Sequence, residues 1–129
     1  MVEDILHELA HSIEEVRAID IYGDGAVERE FLGKRKRLLD ILRSNGYHIP
    51  ASSVMNPEYT LEFDAFLYEK IGYPELAALT MGLFISPYAI TSLREYFASG
   101  LEEYFVGDIA AINNISPQLV TKLREITGY

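Results

Sequence analysis

The segment ILHELAHSIEE (residues 5–15) gives the first indication of both the fold and the chemistry of this chain. Apolar residues recur in and around it every three or four positions, which is the spacing of a helix face. The apolar series is Val2, Ile5, Leu6, Leu9, Ala10, Ile13 and Val16. The pattern predicts an amphipathic helix from Val2 to about Ile19, which the sequence YGDG (22–25) then ends.

The rest of the sequence also predicts a mainly α fold. Capping residues, prolines and glycines mark the starts and stops of further helices. The predicted helices cover residues 26–44, 61–72, 74–84, 91–106 and 116–126. Residues 47–60 contain two prolines and no clear period, so we expect a loop there. With 129 residues, 49% of them hydrophobic, the chain is expected to form one domain over 1–129.

The amino-acid composition argues against some classes of partner and of metal site. The net charge of −9 argues against nucleic acid as a main partner. No segment is long and apolar enough to span a membrane, so a membrane is not an expected partner. The chain has no cysteine, so a zinc site would need histidine and carboxylate ligands. One basic stretch, GKRKRLL (33–39), is expected to be the solvated face of the second helix.

The histidines of HELAH (residues 7–11) have the spacing of a metal site. Residues four apart lie on one helix face, so His7 and His11 can bind one ion. Glu8 is rotated by about 100° from His7, where it can take a proton from a water activated by zinc. The alternative is a surface helix that carries two solvent-facing histidines.

A catalytic zinc site needs a third protein ligand. Glu14 and Glu15 are poorly placed, because His7 and Glu15 lie about 12 Å apart along a helix axis. The best candidate, Glu95, lies in YAITSLREYFASGLEEYF (88–105), on one predicted helix face with Ser99 and Glu102. Glu102 and His48 remain as alternative ligands.

The segments 7–11 and 88–105 together resemble the two motifs of anthrax lethal-factor-type zinc metallopeptidases. In that family a tyrosine precedes a helix start, and a glutamate follows it by seven residues, directly before two aromatic residues and an alanine. Here Tyr88 precedes Glu95, and the sequence continues as YFA (96–98). The resemblance covers about a quarter of the chain. It implies a zinc (Zn2+) site of His7, His11 and Glu95, with Tyr88 as the group that stabilises an oxyanion.

The resemblance also implies an activity and a fold, namely zinc-dependent peptide-bond hydrolysis by a zincin-like helical core. Two features differ from the family pattern: the spacing between His11 and Glu95 is long, and Ser99 stands where the family often has another carboxylate. Only six residues precede His7, so the sheet that holds a peptide substrate in zincins is expected to be absent or minimal.

The short start favours a chain that works within a larger protein or assembly. Without the sheet, we expect apolar surface of the first helix to be left uncovered around Val2, Ile5, Leu6 and Leu9. Its expected partners are a peptide or protein substrate and other subunits, or further copies of itself. The competing hypothesis is a non-catalytic structural subunit, for example of a phage virion, that retains the metal site. Localisation is not indicated by the sequence, and a virion-associated or secreted protein is suggested only by analogy with the family.

Overall fold

The computed structural model describes residues 2–128, apart from the side chains of Val2 and Glu3, and this part of the chain is mainly helical, as predicted. The helices are α1 (Val2–Tyr22), α2 (Ala26–Ser44), α3 (Ala51–Val54), α4 (Leu61–Ala65), α5 (Tyr73–Leu79), α6 (Leu93–Val106), α7 (Ile109–Ile115) and α8 (Pro117–Thr127). A π-helical segment, Phe66–Ile71, continues α4, and a 3₁₀ turn, Tyr88–Ile90, precedes α6. No strand occurs within residues 2–128. None of the helices described there combines the length and hydrophobicity needed to cross a bilayer.

Several predicted boundaries are confirmed, and others are wrong. Helix α2 has the predicted bounds, and α1, α6 and α8 lie within a few residues of theirs. The predicted loop 47–60 contains the short α3, and α5 ends at Leu79 rather than at residue 84. Helix α7 was not predicted; the side chain of Asp108 begins it by accepting a hydrogen bond from the Ala111 N–H at 3.2 Å.

Helix α6 lies at the centre of the fold. It packs against α1, α2, α7, α8 and the 3₁₀ turn. Seven consecutive or nearly consecutive positions of α6 are buried: Tyr96, Phe97, Ala98, Ser99, Gly100, Leu101 and Tyr104. At Gly100 the backbone of α6 comes so close to α8 that a Cβ atom would overlap the Leu119 side chain. The long contact between α6 and α1 is the one that builds the candidate site.

Helix α1 divides its apolar residues between two faces instead of presenting one. Ala10 and Ile21 are fully buried, and Leu6 and Ile13 pack against the core. A second group lies on the opposite face in solvent: Ile5, Leu9, Val16 and Ile19. The single apolar face predicted for this helix is therefore divided in two. The uncovered surface expected on it is confirmed at Ile5 and Leu9, whereas Leu6 packs against the core. The side chain of Val2 lies outside the described residues.

The basic stretch of α2 is not a uniformly solvated face, so that prediction is also wrong. Arg35 is fully buried, and Lys34 is 8% exposed. Lys34 donates hydrogen bonds to the carbonyl groups of Leu83 and Ile115. Arg35 lies against the rings of Phe31 and Phe63, with its Cζ atom 4.7 and 4.3 Å from the ring centroids.

Arg35 also binds backbone carbonyl groups of two other segments. Its Nε donates to Ile90 O at 2.8 Å, and its Nη1 donates to Val54 O at 2.6 Å and to Asn56 O at 3.2 Å. Burial lowers the pKa of Arg35 to about 9, so the guanidinium remains charged at neutral pH. These hydrogen bonds stabilise a buried charge that would otherwise be costly. They connect α2 to the end of α3 and to the 3₁₀ turn that carries Tyr88.

Candidate metal centre

The crossing of α1 and α6 brings His7, His11 and Glu95 together. His7 Nε2 lies 2.7 Å from Glu95 Oε2, and His11 Nε2 lies 3.2 Å from Glu95 Oε1. The imidazole rings are nearly perpendicular, with centroids 4.8 Å apart. One potential ligand atom from each residue lies within 4.8 Å of the others. All three side chains are partly buried, which leaves an approach from solvent.

Two polar atoms of this cluster are buried without a hydrogen-bond partner. Glu95 Oε2 is one of them, and it lies at ion-pair distance, 2.7 Å, from His7 Nε2. The other is the Nδ1 atom of His11. Unpaired buried polar atoms are rare in proteins, so these atoms are available to a further ligand. Neighbouring ligand atoms of a tetrahedral zinc ion lie about 3.3 Å apart. To hold such an ion, the His7 and Glu95 atoms would have to separate slightly, and any pair near the 4.8 Å limit would have to come closer.

Glu102 contacts the other side of the His7 ring. Its Oε1 atom lies against His7 Nδ1, two helical turns along α6 from Glu95. A carboxylate on Nδ1 favours the tautomer that carries its proton there, which leaves Nε2 free to bind a metal. Glu102 was considered as an alternative third ligand; the structure instead places it as a hydrogen-bond acceptor behind His7.

Tyr88 lies beside the same cluster. Its ring centroid is 5.9 Å from that of His7, and it lines a cleft of about 360 Å³. The other residues lining this cleft are Asp4, His7, Ser86, Ser99 and Glu102. Partial burial and the nearby carboxylates, first of all Glu95, raise the pKa of Tyr88. Its hydroxyl is therefore a neutral hydrogen-bond donor at physiological pH.

Glu8 lies next to His7 on α1 and is exposed. Its position about 100° around the helix from His7 places it at the solvent edge of the histidine pair. Glu8 is not among the residues that line the cleft beside Tyr88.

Local interactions hold Glu95 and Tyr88 at the beginning of α6. The side chain of Ser92 caps the helix by accepting a hydrogen bond from the Glu95 N–H at 3.1 Å. The Leu93 N–H donates to Pro57 O at 2.8 Å, which attaches the helix start to the loop after α3. Arg35 binds the carbonyl group of Ile90 in the same junction.

The remaining acidic candidates have other roles or positions. Glu14 is buried, accepts a hydrogen bond from the Tyr22 hydroxyl and pairs with Arg94 Nε at 2.6 Å. Arg94 therefore forms its ion pair with Glu14 rather than with Glu95, although the charge of Glu95 also contributes to raising the pKa of Arg94. Glu15 and His48 are exposed, and neither belongs to the metal-binding group found among the described residues. The role of Glu102 was missed because the sequence shows only that it shares a face with Glu95.

Comparisons with family models, with curated proteins and with solved structures find no match to this chain.

Proposed function

We propose that this chain is a zinc-dependent metallopeptidase with a zincin-like helical core of the lethal-factor type. The observation that supports the proposal is the convergence of His7 and His11 from α1 with Glu95 from α6. Two histidines and one glutamate form the ligand set of a well-known class of catalytic zinc site. The buried Glu95 Oε2 atom, which has no hydrogen-bond partner, also supports the proposal.

When bound, zinc would polarise the substrate carbonyl group and make a water molecule acidic enough to lose a proton near neutral pH. Glu8 would be the base for this proton and could pass it to the leaving amine. The Tyr88 hydroxyl donates a hydrogen bond to the oxygen on which negative charge develops. Glu102 holds His7 in the orientation that presents Nε2 to the cleft.

The test of catalysis is the Glu8→Gln variant. An amide cannot take the proton, yet it leaves the ligands unchanged, so the variant should bind zinc like the wild type. We expect hydrolysis of a random peptide library, followed by mass spectrometry, to fall by a factor of about 100 or more. The matched control is Glu69→Gln, an exposed carboxylate on the π-helical segment. Equal cleavage by the wild type and Glu8→Gln would contradict the proposed role.

A second candidate is a non-catalytic assembly subunit that keeps the metal site. The exposed apolar face of α1 favours it, because exposed apolar patches mark interaction sites. This candidate predicts full zinc binding with no cleavage of any peptide, and Glu8→Gln would then have no effect on function. The peptide library therefore distinguishes the two candidates.

A further inference from the structure

We propose that the exposed face of α1 binds an amphipathic helix of a partner protein that carries basic residues along one edge. The face consists of Ile5, Leu9, Val16 and Ile19, called the α1 stripe below. These side chains are 67%, 46%, 84% and 85% exposed. Single exposed apolar residues are common on soluble proteins. Four of them along one helix form a continuous patch, which is typical of an interaction site.

The spacing of the α1 stripe indicates a helical occupant. Together with Ser12, its residues follow one another at intervals of four, three, four and three positions. This is the seam of a coiled coil, where side chains of one helix fit between those of another. The stripe occupies about 80° of the helix circumference and extends for about 21 Å, so one helix of four turns would cover it. The backbone departs from helical geometry at Arg17, so the partner would follow a bend near Ile19.

The flanking charges indicate which helix would bind. Glu8 and Glu15 are exposed along the edge of the stripe that faces the metal cleft. On the other edge, Leu6 and Ile13 turn toward the core of the chain. Edge charges select coiled-coil partners, so lysine or arginine on the partner would complement Glu8 and Glu15. An antiparallel second copy would instead bring these carboxylates together, in a molecule whose net charge is already −9.

The α1 stripe contains none of the three proposed metal ligands, so binding to it can be tested on the full chain with or without zinc. Glu8 lies between the stripe and the histidine pair around the helix, so a bound helix would lie along the edge of the cleft.

The test uses a designed helical peptide of about 21 residues, with leucine and isoleucine on its seam and lysine at the flanking positions. Fluorescence anisotropy with the full chain should show saturable binding in the micromolar range. A second peptide with glutamate at the flanking positions should bind at least about tenfold more weakly, because it repels Glu8 and Glu15. The difference should shrink as salt is added.

Two protein variants provide the matched comparison. Val16→Glu places a charge in the centre of the stripe and should weaken binding of the lysine peptide at least about tenfold. Met81→Glu adds the same charge at another apolar residue that is also 84% exposed, and should change binding less than about twofold. Circular dichroism should show that both variants fold, because neither residue is part of the core.

Several results would overturn the proposal. Absence of binding, or binding that Val16→Glu leaves unchanged, would show that the stripe is not the docking face. Equal binding of both peptides would show that the partner helix does not need basic residues along its edge. A wild-type dimer in light scattering that Val16→Glu dissociates would identify a second copy as the occupant. Adsorption to neutral phospholipid vesicles that depends on Val16 would identify a lipid surface instead.

Discussion

His7 contacts two carboxylates of α6 through opposite nitrogens of one ring. Its Nε2 atom faces Glu95 and its Nδ1 atom faces Glu102. The two glutamates are seven residues apart, so they lie on the same side of α6 about 10 Å from each other along the axis. The imidazole fits between them, and its orientation is fixed by both. A residue in this position can bind a metal on one side only while the other side keeps its proton.

Glu102→Gln should therefore weaken zinc binding without removing a ligand. The neutral amide favours the protonated Nδ1 atom of His7 less than a carboxylate does. Loss of such a contact to a metal-binding histidine typically lowers metal affinity by about 10- to 100-fold. Competition with a chromophoric chelator would measure the change. Glu103→Gln is the control, because Glu103 accepts a hydrogen bond from the Asp108 N–H at the end of α6 instead. Unchanged affinity in Glu102→Gln would exclude a role for this contact.

The proximity of His7 and His11 was predictable from the sequence, whereas the environment of the charged residues of α2 was not. The spacing of His7 and His11 follows from helix geometry alone, which is a local property. The burial of Lys34 and Arg35 depends on carbonyl groups at Leu83, Ile115 and Ile90, which lie far away in the sequence. Nothing in the local pattern KRKR distinguishes these two residues from Lys36 and Arg37, which are exposed.

At the scale of elements, the packing of α6 against α8 depends on the absence of a side chain at Gly100. A methyl group there would overlap the Cδ2 and Cγ atoms of Leu119, which is fully buried. Gly100→Ala should therefore lower the free energy of unfolding by about 1–3 kcal/mol, through overpacking of the interface. Denaturation with urea would measure it.

Gly33→Ala is the control, because its expected effect on the free energy of unfolding is opposite to that of Gly100→Ala. Gly33 lies inside α2, and a Cβ atom there would meet nothing within 4 Å. Alanine should raise the free energy of unfolding by about 0.5–1 kcal/mol, because glycine loses more backbone entropy in a helix. A destabilised Gly33→Ala, or a neutral Gly100→Ala, would show that the described helix contacts are wrong.

Helix boundaries were predictable where a capping signal is strong. Ser92 begins α6 with a side-chain hydrogen bond, and Pro117 occupies the first position of α8. The signals for α7 are weaker, because its seven residues contain two asparagines and only Asp108 is available as a cap. The π-helical geometry of Phe66–Ile71 has no local signature that separates it from an α-helix.

At the scale of the whole molecule, α1 serves two surfaces. One side of it forms the candidate metal centre with α6, and another side presents the α1 stripe to solvent. The sequence predicted an amphipathic helix here, but the crossing with α6 joins residues more than 80 positions apart. Contacts of that range depend on the packing of all the helices. The prediction that Glu95 joins the two histidines therefore rested on the resemblance to a known motif as well as on periodicity.

The measurement that tests the central claim most directly is the zinc content of the purified chain after equilibration with zinc and removal of the excess. We predict about one zinc per chain, an increased thermal unfolding temperature, and affinity that falls as the pH falls, because protons compete for the imidazole nitrogens. Glu95→Ala should bind zinc much more weakly, and Glu69→Ala should match the wild type. A metal-free chain with an unchanged unfolding temperature in zinc would contradict the account.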